Sequence, residues 1–322
     1  MQAVLHETFG APTEALRLAE TDAPPVDDHE VLVGVRATSV ARGDWLMTKG
    51  LPYIARPSYG LRNPKHRIAG LDVAGVVRAV GPEVSRFRVG DEVFGSGHGT
   101  LAEYAAIPEA QLTRTPAGIT HEQAAAIPTS GAAALRAVRD KAAIGEGDAV
   151  LVIGASGGVG SFAVQIAKAH GADVTGVAST RNLDFVRALG ADHVIDYLTE
   201  GIGEGGRRYR AIIDIAGNRS LSELRRSLDP DGTLVIVGGS GGNITMGFGR
   251  AVRATAVSPF VGQTLSALIS EPNLVVLETL ARMVEAGSLA PAVGATYPLA
   301  DAPRAIAVVG GGGGRGKTVV AG

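Results

Sequence analysis

The chain contains no cysteine among its 322 residues, which excludes disulfide bonds, thiolate metal ligands and a cysteine nucleophile. It also lacks a run of about 18 apolar residues and a charged N-terminal stretch followed by an apolar one, so neither a membrane helix nor a secretion signal is expected. Its 30 basic and 32 acidic residues are interspersed and give a net charge of −2, so no basic stripe indicates nucleic-acid binding. We therefore expect a cytoplasmic protein with no membrane or nucleic-acid partner.

The chain is long enough for two domains, and hydrophobic residues make up 45% of it, which is typical of a folded protein. Residues 1–122 show short alternating stretches separated by turns, a pattern that predicts a β-rich, partly open barrel. Strand and helix patterns alternate through residues 123–262, which predicts a doubly wound parallel sheet. Residues 263–322 are expected to return to the first domain. An edge strand near residues 253–259 is expected to pair two copies of the chain as a homodimer.

Two glycine-rich stretches match motifs of unrelated enzymes. "GGGGRGKT" (311–318) fits the phosphate-binding loop of nucleotide triphosphatases, and "GASGG" (154–158) fits the nucleophile elbow of serine hydrolases. The first motif requires a following helix, but only "VVAG" remains after it. The second requires a histidine late in the chain, but the last histidine is His193. Neither motif therefore predicts the function.

The turn at 154–160 also fits a dinucleotide-binding loop. Gly157 and Gly160 occupy the second and third glycine positions of G-x-G-x-x-G, and Ala155 replaces the first. An apolar strand precedes the turn and an amphipathic helix follows it, so the helix N-terminus would meet the pyrophosphate. The alternative interpretation is a glycine-rich packing turn.

The residues at the end of the second strand of this sheet indicate whether the cofactor is NADH or NADPH. NAD-binding proteins place an acidic residue there, whereas this chain has "VASTRN". The guanidinium of Arg181 suits a 2′-phosphate, with Ser179 supplying a neutral hydroxyl. The sequence therefore favours NADPH over NADH, although Arg181 could also be only a solvated residue at a helix start.

Taken together, "GASGGVGSFAVQIAKAHGADVTGVAST", "LGADHVIDY" and "AGLDVAGVVRAVGPEVSRFRVGDEVFG" resemble the zinc-independent quinone oxidoreductase branch of the medium-chain dehydrogenase/reductase superfamily. The resemblance runs over nearly the whole chain. It implies an α/β fold in which a Rossmann-type domain is inserted into a GroES-like, barrel-like catalytic domain, with the nicotinamide and substrate held in a cleft between them.

The resemblance also implies a set of cofactor-binding residues, which includes a lysine of the terminal "RGKTVV". These residues are Thr129, Gly157, Gly158, Val159, Ser179, Arg181, Tyr197, Gly238 and Lys317. Phe260 is a further cofactor-binding candidate, expected as part of the wall of an apolar pocket.

Two positions depart from the zinc-dependent relatives, which carry a cysteine at the place of Ala41 and a histidine at the place of Leu71. We therefore expect no catalytic zinc. Many quinone reductase relatives have an asparagine at the Ala41 position and an aspartate that matches Asp44. Asp44 is predicted to be catalytic, with a purely structural hydrogen-bonding role as the alternative.

Without a metal ion to stabilise an alkoxide, the favoured substrates are those that delocalise negative charge themselves. We therefore expect hydride transfer from NADPH to a quinone or an α,β-unsaturated carbonyl, with Tyr53 as proton donor or carbonyl ligand. Tyr59 is a second candidate that packing alone could explain. The alternatives are a biosynthetic reductase for a bulky enone and a non-catalytic NADPH-binding sensor.

Overall fold

The computed structural model describes residues 1–239, 248–312 and 314–322, and this part of the chain forms two compact units. The first unit is assembled from both ends of the chain and the second from its middle. The first comprises Met1–Ala132, Glu271–Gly287 and Pro291–Gly322, and the second comprises Ala133–Ser270 and Ser288–Ala290.

The strands in the described ranges are β1 (Gln2–His6), β2 (Leu16–Glu20), β3 (Glu30–Val40), β4 (Asp72–Val80), β5 (Glu92–Ser96), β6 (Tyr104–Pro108), β7 (Leu112–Arg114), β8 (Ala149–Ile153), β9 (Asp173–Ala178), β10 (His193–Asp196), β11 (Tyr209–Asp214), β12 (Leu228–Ile236), β13 (Thr264–Ala267), β14 (Val293–Pro298) and β15 (Lys317–Ala321). The helices are α1 (Pro12–Ala15), α2 (Arg42–Lys49), α3 (Arg56–Tyr59), α4 (His121–Ala125), α5 (Pro128–Leu135), α6 (Gly158–Ala169), α7 (Leu183–Ala188), α8 (Leu221–Arg226), α9 (Phe248–Val257), α10 (Leu274–Glu285) and α11 (Ala302–Gly311).

The first unit is built on a mixed seven-stranded sheet in the order β14-β15-β3-β4-β5-β7, with β6 also paired to β3 and with β1 and β2 forming a separate pair. The long strand β3 pairs antiparallel with β4, so that Val33 lies opposite Val77. Both side chains are fully buried in a core of β-branched residues, as strand propensity favours. The expectation of a β-rich, GroES-like domain is confirmed.

The second unit contains a six-stranded sheet in the order β10-β9-β8-β11-β12-β13, and every neighbouring pair is parallel. Counted from β8, this is the strand order 3-2-1-4-5-6 of a dinucleotide-binding doubly wound sheet. Apolar runs such as Leu151 and Ile153 in β8 are buried because helices cover both faces of such a sheet. The predicted Rossmann-type fold is confirmed.

The boundaries of the units differ from the predicted ones at 122/123 and 262/263. Because β13 pairs with β12, residues up to Ser270 lie in the second unit. The expected edge strand near 253–259 is wrong, since helix α9 extends to Val257. Ala251 and Ala254 are both buried at helical spacing, and the strands at the two edges of the sheet, among those described, are β10 and β13. None of the helices in the described ranges is long and apolar enough to cross a bilayer.

Candidate functional site

The turn between β8 and α6 is fixed by glycine and by the neighbouring strand. Gly154 has a φ of +86°, in the left-handed region that favours glycine. The backbone N–H groups of Gly154 and Ala155 both donate to the carbonyl oxygen of Val177 at the end of β9, at 3.2 and 3.1 Å. The turn therefore holds the start of α6 at the carboxyl edge of the sheet, where ligands of doubly wound sheets bind.

Gly160 and Gly157 serve different needs in this turn. A Cβ on Gly160 would lie 2.1 Å from the carbonyl oxygen of Gly154, so the close packing of the helix against the turn requires glycine there. A Cβ on Gly157 would meet only that same oxygen, at 3.5 Å. Packing within the protein therefore does not require glycine at 157, and the open space above its backbone suits the close approach of a pyrophosphate.

The first residues of α6 supply the donors for such an anion. Gly157 is the N-cap residue and makes no side-chain cap, and the helix begins at Gly158. The N–H groups of the first helical turn, which include those of Gly158 and Val159, have no partner within a helix. The predicted pyrophosphate residues thus lie together, and the donors and the open space fit a dinucleotide.

The ends of β9 and β10 bring together three further predicted residues. The backbone N–H of Tyr197 donates to the carbonyl oxygen of Ala178 at 3.1 Å, which places Tyr197 beside the segment containing Ser179 and Arg181. Tyr197 is 50% exposed, and Arg181 is exposed in the turn Thr180–Asn182.

A carboxylate close to this edge is turned inward. Asp196, at the end of β10, is 5% exposed. Its side chain accepts hydrogen bonds from the hydroxyl of Thr180 and the backbone N–H of Leu198. This acid is therefore occupied by internal donors.

Gly238 and Phe260, the other two predicted cofactor residues of this unit, lie in different surroundings. A Cβ on Gly238 would lie 1.9 Å from the carbonyl oxygen of Ile215, so contact between two turns already requires glycine there. Phe260 is 86% exposed in a turn that precedes β13. It therefore lies on the side of the amino ends of the parallel strands, opposite the edge where the glycine turn lies. The role of Phe260 as a cofactor residue stays a prediction, which its position on this side of the sheet does not favour.

In the first unit, the predicted residues Thr129 and Lys317 meet at Asp72. The carboxylate of Asp72 accepts from the backbone N–H and hydroxyl of Thr129, at 3.1 and 2.5 Å, and from the hydroxyl of Ser39 at 2.6 Å. The ammonium of Lys317 lies 3.6 Å from the same carboxylate and donates to the hydroxyl of Ser130 at 3.1 Å. Asp72 was not among the predicted site residues, although it lies in the quoted "AGLDVAG".

The stretch 311–318, which contains Lys317, does not form the phosphate-binding loop that its sequence resembles. Helix α11 precedes the stretch 311–318 and strand β15 follows it, the reverse of the strand–loop–helix order that the motif needs; Gly313 lies outside the described residues. The hydrolase motif fails as well, because the side-chain oxygen of Ser156 has the amide of Asn182 as its partner rather than a histidine.

Asp44 lies at the start of α2, where it caps the helix from within. Its carboxylate accepts from the backbone N–H of Ala41 at 2.8 Å, half of a capping box. Burial, against the hydrogen bond from Ala41 and with a smaller contribution from the charge of Asp72, raises the pKa of Asp44 to about 6. The structural role considered for Asp44 is thus present, and its carboxyl can also exchange a proton near neutral pH.

Asp44 also lines a cavity within the first unit. This cavity has about 420 Å³ of space, part of it open to solvent, and its wall includes Leu71, Tyr59, His66 and His98. The two imidazole rings stack at 3.6 Å between centroids and 7° between planes. Burial lowers the pKa of both histidines, and the charge of Lys65 lowers each further.

The two tyrosines lie in different surroundings. The hydroxyl of Tyr59 donates to the carbonyl oxygen of Pro52 at 3.1 Å. Tyr53 is not part of the cavity wall; it is 47% exposed in the turn Tyr53–Ala55, with the guanidinium of Arg56 4.8 Å above its ring. The histidine pair was missed from sequence because the two residues lie far apart along the chain without metal-ligand spacing.

The positions of the lost zinc ligands carry no replacement ligands. The side chains of Ala41 and Leu71 have no atoms that bind zinc, and a structural or catalytic zinc site needs at least three protein ligands. Across the residues that the structure describes, no group of three or more His, Cys, Asp or Glu side chains is arranged to hold a metal ion. Because the rings of His66 and His98 are stacked in parallel, their nitrogen lone pairs do not converge on one point.

The parallel sheet with its glycine turn and the β-rich unit with its buried Asp72–Lys317 pair define a two-unit dinucleotide-binding protein. Residues 27–117 match the alcohol dehydrogenase GroES-like domain family, and residues 189–320 match the zinc-binding dehydrogenase family.

Relatives and solved structures match over nearly the full length. The chain is 32% identical to a chloroplast envelope quinone oxidoreductase homolog of Arabidopsis thaliana, over 99% of this chain and 98% of that one. It is 33% identical to the human quinone oxidoreductase, over 99% and 97%. The structure of the quinone oxidoreductase from Coxiella burnetii matches with a TM-score of 0.88 at 28% identity, covering 100% of this chain and 99% of that one. The chain belongs to the medium-chain dehydrogenase/reductase superfamily, among its quinone oxidoreductase-like members.

Proposed function

We propose that this chain transfers hydride from NADPH to a quinone or an α,β-unsaturated carbonyl without a metal ion. The observation that carries the proposal is the open space above the backbone of Gly157 at the start of α6, beside a strand end that carries Ser179 and Arg181. When bound, NADPH would supply the hydride. A related mouse protein, 30% identical over 95% of this chain and 86% of its own length, is named a mitochondrial NAD(P)H oxidoreductase, which supports a nicotinamide cofactor without choosing its form.

The choice of NADPH over NADH rests on charge at the end of β9. Arg181 offers a cation and a planar set of donors, which suit a phosphate. Asp196, the nearby acid, already accepts two internal hydrogen bonds, so it is not placed to bind a ribose hydroxyl. We further propose that Thr129 and Lys317 support cofactor binding through the Asp72 network of the first unit.

The choice of a conjugated acceptor rests on Ala41 and Leu71, whose side chains have no metal-binding atom at the two positions where zinc-dependent relatives carry ligands. Hydride added to the β-carbon of an enone gives an enolate, and hydride added to a quinone gives a hydroquinone anion; each then takes one proton. Both anions spread their charge, so uncharged donors suffice. We propose that Asp44, which lines the cavity of the first unit, supplies the proton with its pKa of about 6. We propose that Tyr53, which lies outside the cavity wall, binds the carbonyl oxygen of an acceptor that extends beyond the cavity.

A panel of acceptors tests this function. NADPH oxidation is measured with one quinone, one enone and one simple ketone, in the presence and absence of EDTA. We expect turnover of the first two, no turnover of the ketone, and no effect of the chelator. Turnover of the ketone, or loss of activity with EDTA, contradicts the proposal. Tight NADPH binding without oxidation by any acceptor would favour the sensor alternative instead.

A comparison of phenylalanine variants at Tyr53 and Tyr59 tests which tyrosine binds the carbonyl oxygen. Tyr53→Phe should slow enone reduction by about 100- to 1000-fold, the usual cost of removing one oxyanion donor. Tyr59→Phe is the matched control, because the Tyr59 hydroxyl already donates to Pro52, and should change the rate little. The reverse ranking would transfer the role to Tyr59.

The homodimer and the cytoplasmic location also remain proposals. Among the described strands, β13 pairs with β12 alone in the six-stranded sheet, and Phe260 and Ile269 nearby are 86% and 77% exposed, which fits pairing with a second copy. Light scattering on the purified protein should give twice the mass of one chain, and a monomer mass would contradict it.

The names of two relatives place them in chloroplasts and mitochondria, so membership of the family does not determine the cellular compartment.

A further inference from the structure

Asn182 occupies a helix-capping position but does not cap the helix. It is the N-cap residue of α7, yet its side chain accepts no hydrogen bond from the first turn. Asparagine is among the most favoured N-cap residues because its side-chain oxygen normally accepts such a bond. Here the side chain is 6% exposed and points elsewhere.

The Asn182 amide instead joins the two segments of the proposed cofactor site. Its Nδ2 donates to the hydroxyl oxygen of Ser156 at 3.2 Å and to that of Ser179 at 3.4 Å. Ser156 lies next to Gly157 in the glycine turn, and Ser179 follows β9. Two hydroxyl groups from separate segments are therefore held close to one amide nitrogen.

The direction of these two hydrogen bonds determines whether the serine hydroxyls can still donate a hydrogen bond to a ligand. A hydroxyl has one donor hydrogen and two acceptor positions. Because the amide donates, each serine oxygen is an acceptor toward Asn182 and keeps its hydrogen for another partner. Within the described ranges, neither hydroxyl donates to a protein group, and both side chains are half-buried. Phosphate oxygens only accept, so they match this pair of donors.

We propose that Asn182 is a positioning residue that makes Ser156 and Ser179 donors to the 2′-phosphate of NADPH. The proposal rests on the proposed function for the identity of the cofactor. It adds a device for specificity beside Arg181: the arginine attracts the charge, while the asparagine orders two neutral donors before the phosphate arrives, which lowers the ordering cost on binding.

The test is a comparison of NADPH and NADH dissociation constants by fluorescence titration. Asn182→Ala should weaken NADPH binding by about tenfold, the value of one or two hydrogen bonds to a charged group, and leave NADH nearly unchanged. Ser156→Ala combined with Ser179→Ala should weaken NADPH at least as much. In that serine-free background, Asn182→Ala should have no further effect, because the groups that it orients are gone.

Two further variants guard against a purely structural effect. Asn182→Asp keeps the size of the side chain but can only accept when ionised, so it should take up the serine hydrogens and weaken NADPH binding more than alanine does. Asn273→Ala removes a conventional cap, whose side chain accepts from the N–H of Val276 at 3.0 Å. It should lower the thermal midpoint without changing the ratio of NADPH to NADH affinity.

The outcomes separate this proposal from the proposed function. Equal losses of NADPH and NADH affinity in Asn182→Ala, or a loss that persists in the serine-free background, would overturn the positioning role. Failure of the wild-type protein to oxidise NADPH with any acceptor would overturn the proposed reaction while leaving the binding comparison valid. A wild-type protein that binds NADH more tightly than NADPH would refute the proposed cofactor form directly.

Discussion

The ammonium of Lys317 lies 3.6 Å from the carboxylate of Asp72, and each of these side chains is only 1% exposed. This pair connects strand β15, near the end of the chain, with strand β4. Through the hydrogen bonds of Asp72 to Thr129 it also fixes the start of helix α5. Because both charges are removed from water, the pair is expected to matter most when only one member is lost.

We predict that Lys317→Met lowers the free energy of unfolding by about 3–5 kcal/mol, since it leaves a buried carboxylate without its cation. The double variant Asp72→Asn with Lys317→Met should lose less than the sum of the two single variants. Urea unfolding of all four proteins measures this coupling. A Lys317→Met protein that unfolds like wild type but binds NADPH poorly would show instead that the lysine serves the cofactor directly.

Alanine substitutions at the two glycines of the β8–α6 turn should affect different properties. Gly160→Ala should mainly lower stability, and Gly157→Ala should mainly weaken cofactor binding. Gly160→Ala places a Cβ 2.1 Å from a backbone oxygen and should destabilise the fold by about 1–3 kcal/mol or more. Gly157→Ala should cost at most about 1 kcal/mol as an N-cap change but should weaken the binding of both NADPH and NADH, because its methyl group fills the space proposed for the pyrophosphate. Unchanged cofactor affinity in Gly157→Ala would place the pyrophosphate elsewhere.

Arg181 is predicted to act on the 2′-phosphate alone. Arg181→Ala should weaken NADPH binding by about 1.5–3 kcal/mol, or about 10- to 150-fold, and leave NADH affinity nearly unchanged. Titration of both cofactors against both proteins measures the difference. Equal losses would show that the residue supports the fold or the pyrophosphate.

Asp44 should make stability depend on pH in an unusual direction. Its folded-state pKa of about 6 lies above the ordinary value of 3.8, so its stabilising contribution is fully present below 3.8 and is lost as the pH rises through about 6. Asp44→Asn keeps an oxygen for the N–H of Ala41 and removes the charge. Relative to wild type it should therefore gain up to about 3 kcal/mol above that range, at about 1.4 kcal/mol per pKa unit.

The same comparison repeated below pH 3.8 is the control for Asp44, because the wild-type carboxyl is then protonated in both states. The difference between wild type and Asp44→Asn in urea unfolding should shrink there. A difference that does not change with pH would mean that Asp44 titrates at its ordinary value.

The sequence predicts those features that depend on local pattern. Alternating apolar strands and amphipathic helices specify the six-stranded sheet, and the glycines at 157 and 160 mark the turn because each acts through its own backbone. The pattern misled at 253–259, where β-branched and small residues suggested a strand. The spacing of Ala251 and Ala254 fits the helix that the structure contains.

Features that depend on distant partners were not predictable in this way. The partners of Asp72 come from three other segments, at Ser39, Thr129 and Lys317, and no local spacing joins them. The role of Asn182 was hidden because its position at a helix start predicts a cap, whereas tertiary contacts with two serines determine where its side chain lies.

The central claim is that hydride goes from NADPH to the β-carbon of a conjugated acceptor. It is tested most directly by a single turnover with NADPH deuterated at C4 of the nicotinamide and a cyclic enone, followed by mass spectrometry and NMR of the product. The account predicts a saturated ketone carrying deuterium at the β-carbon and a solvent proton at the α-carbon. Deuterium on the carbonyl carbon of an allylic alcohol would contradict it.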